Sequence, residues 1–578
     1  MKNFSQLRKS LKNDFSGLQK IRIALLGDTS TQFLLQALQG TAFDRGFNLQ
    51  ILETGFNDIE TQVFNEESDM YKFNPEIVVI FKCSHKLLQQ YNRLDSSQHS
   101  QLADDELMLI GRLYSQINNN LKAKIIYFNY AEIDDAVFGN YANKVESSFL
   151  FQLRKLNYKL MNYAVTKTDL YLLDISNLQN QLGKSSLFHP STYINAEMVL
   201  SIDILPAISS RMLDIIEAIY GKVKKCVILD LDNTLWGGII GDDGFENIQI
   251  GSLGIGKAFT EFQYWLKKLK ERGIILAVCS KNYETTAKEP FEKHPEMVLR
   301  LDDIAIFIAN WENKVDNINQ IQRALNIGFD SIVFLDDNVY ERNIVRENIP
   351  ALVVPELPED PAEYLEYLYT LNLFETVTFS VIDTCRTEKY QIEAKRTETR
   401  QSFANEKDFL SSLNMLSVIE PFNKFNIARI AQLSQRSNQF NLRTVRYSES
   451  QIEAIAKSGN NFTFSFGLED KFGDHGLISV IIIKVESETV LFIDSWFMSC
   501  RVLKRGMEQF ALNTIADFGK KNGFHYLKGQ YIATAKNRLV KDHYIHLGFA
   551  PIDDYWVLNL NSYQKRECFI KEKRSLYE

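Results

Sequence analysis

Cys226-Val227-Ile228-Leu229-Asp230-Leu231-Asp232-Asn233-Thr234-Leu235-Trp236 is an apolar run that ends on two carboxylates set two residues apart. Four apolar residues without a polar break suit a strand buried on both faces, as in a parallel sheet covered by helices. The pattern recurs downstream, where Ile332-Val333-Phe334-Leu335 ends on Asp336-Asp337. Ligands of open α/β sheets sit beyond the carboxyl ends of the strands, so both acidic ends are expected in one site. Between them a strand over Ile274 to Cys279 ends at Ser280, and Lys314 opens a helical pattern. A phosphoryl group needs a metal on hard oxygens, a cation on its far side and an in-line nucleophile, and this set supplies all three.

Upstream, Ile21-Arg22-Ile23-Ala24-Leu25-Leu26 reads as a buried strand stopping at Gly27-Asp28-Thr29, followed by a helical pattern through Leu34, Leu35 and Leu38. Strands near Ile77 to Phe81 and Ala123 to Phe128, with helices near Asp104 to Asn119 and Ser147 to Ala164, continue the alternation. Such alternation predicts a parallel sheet between helical layers. Downstream of the proline-rich and acidic Pro355 to Pro361, a helical connector leads to a strand-rich region with Phe462 to Phe466, Leu477 to Val485 and Val490 to Ile493. A helix from about Gly506 to Phe518 and the strand Tyr526 to Gly529 follow it. Three domains are expected, at 1–220 (α/β), 221–375 (α/β, with the acidic strand ends) and 376–578 (linker helix and an α+β domain). A chain of 578 residues has room for them, since single cores seldom exceed about 250 residues.

Composition excludes several classes. Hydrophobic residues at 45% and charged residues at 24% are those of a globular protein. The net charge of -8 argues against wholesale binding to nucleic acid or anionic lipid. No apolar run is long enough for membrane insertion, and Met1 to Lys9 carries no apolar core of a secretory leader. Cys83, Cys226, Cys279, Cys385, Cys500 and Cys568 show no paired spacing, so no disulfide framework or zinc knuckle is expected, and a reducing cytoplasm fits.

The Asp230-Leu231-Asp232-Asn233-Thr234 block, with Ser280, Lys314 and Asp336-Asp337 in that order, resembles the haloacid dehalogenase superfamily. At Trp236-Gly237-Gly238, Cys279-Ser280-Lys281-Asn282, Asn310 to Lys314 and Phe334 to Asn338 the resemblance narrows to the FkbH-like proteins. It continues in Asn438 to Leu442 and Met498 to Leu503. The resemblance implies Asp230 as the nucleophile that becomes an aspartyl phosphate, and Asp232 as general acid and base. It also implies Mg²⁺ held by Asp230, the carbonyl of Asp232 and Asp336, with Asp337 supporting that shell. Thr234, Ser280 and Asn282 are the candidate hydrogen-bond donors to phosphoryl oxygens, and Lys314 the neutralising cation. Only short segments join these blocks, so no large cap domain is expected.

Members of that family are expected to dephosphorylate a small activated metabolite, typically 1,3-bisphosphoglycerate, and to place its glyceryl unit on an acyl carrier protein thiol. The third domain resembles an N-acetyltransferase-like (GNAT) fold. Arg501, Lys504, Arg505 and Gly506 occupy its pyrophosphate-loop position, where phosphopantetheine or acyl-CoA would bind, although lysine stands at 504 where the family has glycine. Tyr544, in Lys541 to Phe549, matches the tyrosine that protonates a departing thiolate, and Cys279 and Cys500 are the candidates to carry an acyl thioester. Two alternatives stand beside this reading: a phosphatase coupled to acylation of a sugar or amine in surface-polysaccharide synthesis, and a silent scaffold for carrier proteins.

Other signals are set aside. The first domain resembles the SGNH hydrolases, but threonine stands at the nucleophile position in Gly27-Asp28-Thr29-Ser30, and no Asp-x-x-His block is visible around His189, so inactivity is expected. Gly251 to Gly256 lacks the context of a nucleotide loop, and the tail at Lys565 to Arg574 alternates with acids. His543 and His546 read as a solvated helix face.

Overall fold

The computed structural model describes residues 2–379, 403, 405–499, 502, 503, 505–534 and 536–573. The chain divides into two compact units, Met1–Glu217 and Ala218–Glu578. Most of the expected helical connector lies outside the described residues, as do Cys385, Cys500, Arg501 and Lys504.

In the first unit, strands β1 (Gln19–Gly27), β2 (Phe47–Glu53), β3 (Ile77–Phe81), β4 (Lys124–Phe128) and β5 (Leu170–Leu173) form a parallel sheet in the order β2-β1-β3-β4-β5. The order reverses between β1 and β3, and beyond their carboxyl ends lies a cavity of about 290 Å³ lined by Asp28, Lys82, Cys83 and Tyr130 among others. Asp28 accepts hydrogen bonds from the Cys83 amide at 3.1 and 2.9 Å. Burial pushes its carboxyl up to about 7. The hydroxyl of Thr29 is buried without a partner, and His189 caps the helix Pro190–Ala196.

The second unit begins with the four-stranded parallel sheet of β6 (Cys226–Leu229), β7 (Ile275–Ser280), β8 (Ile304–Ala309) and β9 (Ile332–Leu335), in the order β8-β7-β6-β9. Successive side chains of a strand face opposite sides, and both sides are covered here. Val227, Leu229, Val333 and Leu335 pack in one core with Phe262 and Leu266 of the helix Gly256–Glu271. Cys226, Ile228, Ile332 and Phe334 pack in the other core with Ile318 and Ile321 of the helix Lys314–Leu325. Each such side chain taken wholly out of water contributes about 1.5–3 kcal/mol.

The rest of the unit is built on a mostly antiparallel sheet. Its central strands β12 (Asn461–Asp470), β13 (Gly473–Ser487) and β14 (Val490–Met498) follow β10 (Leu416–Ser417) and β11 (Ile419–Glu420). The helix Met507–Lys521 then returns the chain to β15 (Tyr526–Gly529), parallel to β14, before β16 (Ala550–Ile552), β17 (Tyr555–Asn559) and β18 (Lys571–Glu572). Strand β14 pairs with β15 only over Val490 to Phe492. Beyond that point Phe440 to Leu442 takes up its edge: Leu442 N donates to Trp496 O (3.1 Å) and Met498 N to Phe440 O (3.0 Å).

This sheet docks on the end of the four-stranded parallel sheet where β6 and β9 begin. Asn438 Nδ2 donates to Gly221 O at 2.8 Å, Lys225 Nζ to Arg436 O at 3.3 Å, and Lys536 pairs with Asp330 at 2.5 Å. Gly221 sits at φ 72°, and a Cβ there would lie 2.2 Å from Gln435 O. Gly221→Ala is therefore expected to lower the unfolding free energy of this unit by about 1–3 kcal/mol, read as a lower urea midpoint.

Candidate phosphoryl-transfer site

The site lies where β6, β7 and β9 end and the helix Lys314–Leu325 begins. Asn313 caps that helix by accepting from Val315 N at 2.8 Å, which puts Lys314 on its first turn. Lys314 is 3% exposed, and its Nζ lies 2.6 Å from Asp336 Oδ2 and 3.1 Å from Asp230 Oδ1. Asp336 is 0% and Asp230 7% exposed. Burial alone would lower the Lys314 pKa, but the two carboxylates outweigh it and the net shift is upward. Burial and the neighbouring charge of Asp230 push Asp336 up to about 7, and the same two causes raise Asp337.

Asp230, Asp336 and Asp337 offer carboxylate oxygens that all lie within 4.8 Å of one another. Asp230 Oδ1 is buried and accepts no hydrogen bond, because Lys314 approaches it off the line that such a bond requires. A buried carboxylate oxygen left with a lone pair, beside two acids whose charge burial disfavours, fits a small hard divalent cation. Arg342, buried in the helix Val339–Asn348, fixes the loop after β9 by donating to the carbonyls of Asp336 (2.8 Å) and Asp337 (2.7 Å). Its position one turn into the helix capped by Asn338 was the signal available for it, and sequence reasoning missed it.

Asp232 is held by three donors. Its Oδ1 accepts from Trp236 Nε1 and Ile240 N, each at 3.0 Å, and its Oδ2 from Asn282 Nδ2 at 2.9 Å. Asn282 also donates to Ser280 Oγ at 3.2 Å, so it links Asp232 to the end of β7. Thr234 donates to Asp337 Oδ1 at 3.2 Å and accepts from Asp337 N at 3.1 Å. In this geometry Thr234 and Asn282 position carboxylates, and the phosphoryl-facing role expected of them would require these bonds to exchange.

The remaining candidates are dispersed. Cys279 faces the core with Ile318, Ile321 and Phe334, donates to Lys314 O at 3.9 Å, and burial pushes its thiol up to about 12, which leaves it poorly suited to act as a nucleophile. Arg505 is turned inward, 3.2 Å from His475 Nε2 and 3.5 Å from Asp470, and not outward to a pyrophosphate. Gly506 takes φ 84° and caps the helix Met507–Lys521. Tyr544 is buried, and burial raises its pKa. His543 is not solvated as expected: it packs edge-on to Phe440 and Trp496, at 4.9 and 4.7 Å, while His546 is exposed.

An uncapped parallel α/β sheet whose strand ends gather three carboxylates around one buried lysine defines a phosphatase-like domain. The chain belongs to the FkbH-like family. Residues 22–217 match the family model "FkbH, N-terminal domain". The N-terminal part of protein BF1531 from Bacteroides fragilis, containing a phosphatase domain complexed with Mg, is 55% identical, with a TM-score of 0.63, over 66% of this chain and 100% of its own. Two acetyltransferases also match. The ribosomal-protein-S18-alanine N-acetyltransferase from Escherichia coli is 16% identical over 25% of this chain and 94% of its own, with a TM-score of 0.20. The spermidine/spermine N-acetyltransferase SpeG from Vibrio cholerae, in complex with manganese ions, is 11% identical over 26% of this chain and 95% of its own, with a TM-score of 0.20. No curated protein matches.

Proposed function

We propose that the chain is a magnesium-dependent phosphatase of the haloacid dehalogenase type. It removes phosphate from a small phosphorylated metabolite such as 1,3-bisphosphoglycerate and passes the acyl unit to an acyl carrier protein thiol. The observation that supports it most is Lys314, buried between Asp230 and Asp336 beside an Asp230 oxygen that accepts no hydrogen bond. Asp230, Asp336 and the carbonyl of Asp232 would hold Mg²⁺, with Asp337 beside them, and the bound ion would offset phosphoryl charge.

Asp230 attacks the phosphorus of the metabolite's phosphate ester, not that of its acyl phosphate, and the ester oxygen leaves, taking a proton from Asp232. Water then cleaves the aspartyl phosphate with Asp232 as base. Trp236, Ile240 and Asn282 keep the Asp232 carboxylate in place for both steps. Lys314 neutralises charge on the phosphoryl oxygens.

The test is incubation with Mg²⁺, 1,3-bisphosphoglycerate and a phosphopantetheinylated carrier protein, followed by intact mass and phosphate measurement. A glyceryl adduct with phosphate release is expected. Phosphate release without an adduct would reduce the reading to a phosphatase, and no turnover of any phosphate ester would end it. Mg²⁺ at about 100 times its Kd is also expected to stabilise the fold by about 2.7 kcal/mol, a rise in Tm that Asp336→Asn removes.

A further inference from the structure

The loops leaving β6, β7, β8 and β9 on the side of Asp230 each carry a large apolar side chain into solvent beside a site residue. Ile239 follows Gly238, Tyr283 follows Asn282, Trp311 stands three residues before Lys314, and Tyr340 follows Asn338 and Val339. Single exposed apolar side chains are ordinary, but one on each of the four loops at the same end of one sheet, two of them in contact, marks a place where something binds. Tyr283 (69% exposed) and Trp311 (63%) contact each other edge to face, with centroids 5.8 Å apart and planes at 73°. Of the five tryptophans, Trp311 alone is exposed.

The reacting groups lie below this rim, buried and charged. A folded surface cannot reach them, so the group that enters must be slender. Nor does the third sheet deliver it. That sheet docks around Gly221, Lys225 and Asp330, and its cavity of about 820 Å³ includes Arg323 to Asn326, at the far end of the helix Lys314–Leu325. Twelve helical residues put that cavity about 18 Å from Lys314. An acyl acceptor serving the Asp230 site must therefore arrive on a long, flexible attachment.

We propose that Tyr283 and Trp311 form the wall along which the phosphopantetheine arm of an acyl carrier protein enters the phosphoryl site. Such an arm is thin and uncharged along most of its length, with apolar stretches between its amides, which suits an aromatic rim above a charged floor. Its thiol sulfur bonds to the acyl carbon of the acyl phosphate, the bond from that carbon to the phosphate oxygen breaks, and the thiol proton leaves on the phosphate. The inference rests on the phosphatase and acyl-transfer reading above and names the residues that admit its acceptor.

In the carrier-acylation assay with full-length protein, Trp311→Ala is expected to raise the carrier KM about 10-fold with kcat little changed. Trp311→Phe, which keeps a ring, recovers most of the affinity, and Tyr283→Ala falls between. Pantetheine alone is expected to quench the emission of Trp311 in the unmodified protein. An unchanged carrier KM in a Trp311→Ala protein of normal Tm would overturn the proposal, as would quenching by a sugar phosphate but not by pantetheine. Failure of the phosphatase reading would look different: no Asp230-dependent phosphate release, with the pantetheine quench intact.

Discussion

Asp230→Asn is expected to abolish phosphate release from a phosphate ester in the absence of carrier protein, by roughly 10⁴-fold or more, in a protein that remains folded. The amide has the shape of the carboxylate but neither its nucleophilicity nor its charge, so no aspartyl phosphate forms and the second, hydrolytic step has nothing to act on. The fold should tolerate the change, because Lys314 keeps its 2.6 Å contact with Asp336 and that acid loses a like-charged neighbour. A phosphate-release assay beside a melting curve separates the two effects. A folded Asn variant that still releases phosphate at the original rate would remove Asp230 from the nucleophile's role and leave Mg²⁺-activated water as the simpler alternative.

Where the sequence could be read, the reason was local. Cys226 to Leu229 and Ile332 to Leu335 are apolar without interruption because both faces of β6 and β9 are covered, and their acidic ends fall together because the strands are parallel neighbours. Cys279, expected beside Ser280 as a thioester carrier, turns into the core instead, because neighbouring residues of β7 face opposite sides of the sheet. What escaped reading depends on partners far away in the chain. His543 and His546 look like a solvated helix face, yet Phe440 and Trp496 cover His543. Arg505 looks like an anion ligand by its place before a helix, yet Asp470 at the end of β12 and His475 near the start of β13 draw it inward. The docking of the third sheet at the amino ends of β6 and β9 follows from contacts such as Asn438 with Gly221, which no window of local sequence contains. Thr234, Asn282 and Arg342 show the same limit at the site, where the motif names the residue types and the fold decides which of them hold carboxylates in place.

Lys314→Met probes the same centre from its cationic side and should damage both rate and stability. Removing one partner of a buried, charge-paired cluster leaves the others uncompensated, which costs about 3–5 kcal/mol. The penalty should shrink at low pH. The Asp336 carboxyl already titrates at about 7, above its ordinary 3.8, so its protonated form contributes stability that is fully present below pH 3.8 and lost as pH rises through 7. Without the lysine that folded pKa rises further, so the variant is expected to melt closest to the unmodified protein in mildly acidic buffer and farthest from it above neutrality. Mg²⁺ should return part of the lost Tm, since it also opposes the charge of Asp230 and Asp336, but not the rate, which should stay down by about 10²–10³-fold. That split is the informative outcome. If Mg²⁺ restored stability and turnover alike, Lys314 would be only a placeholder for the metal; if it restored neither, the three carboxylates would not form the metal site.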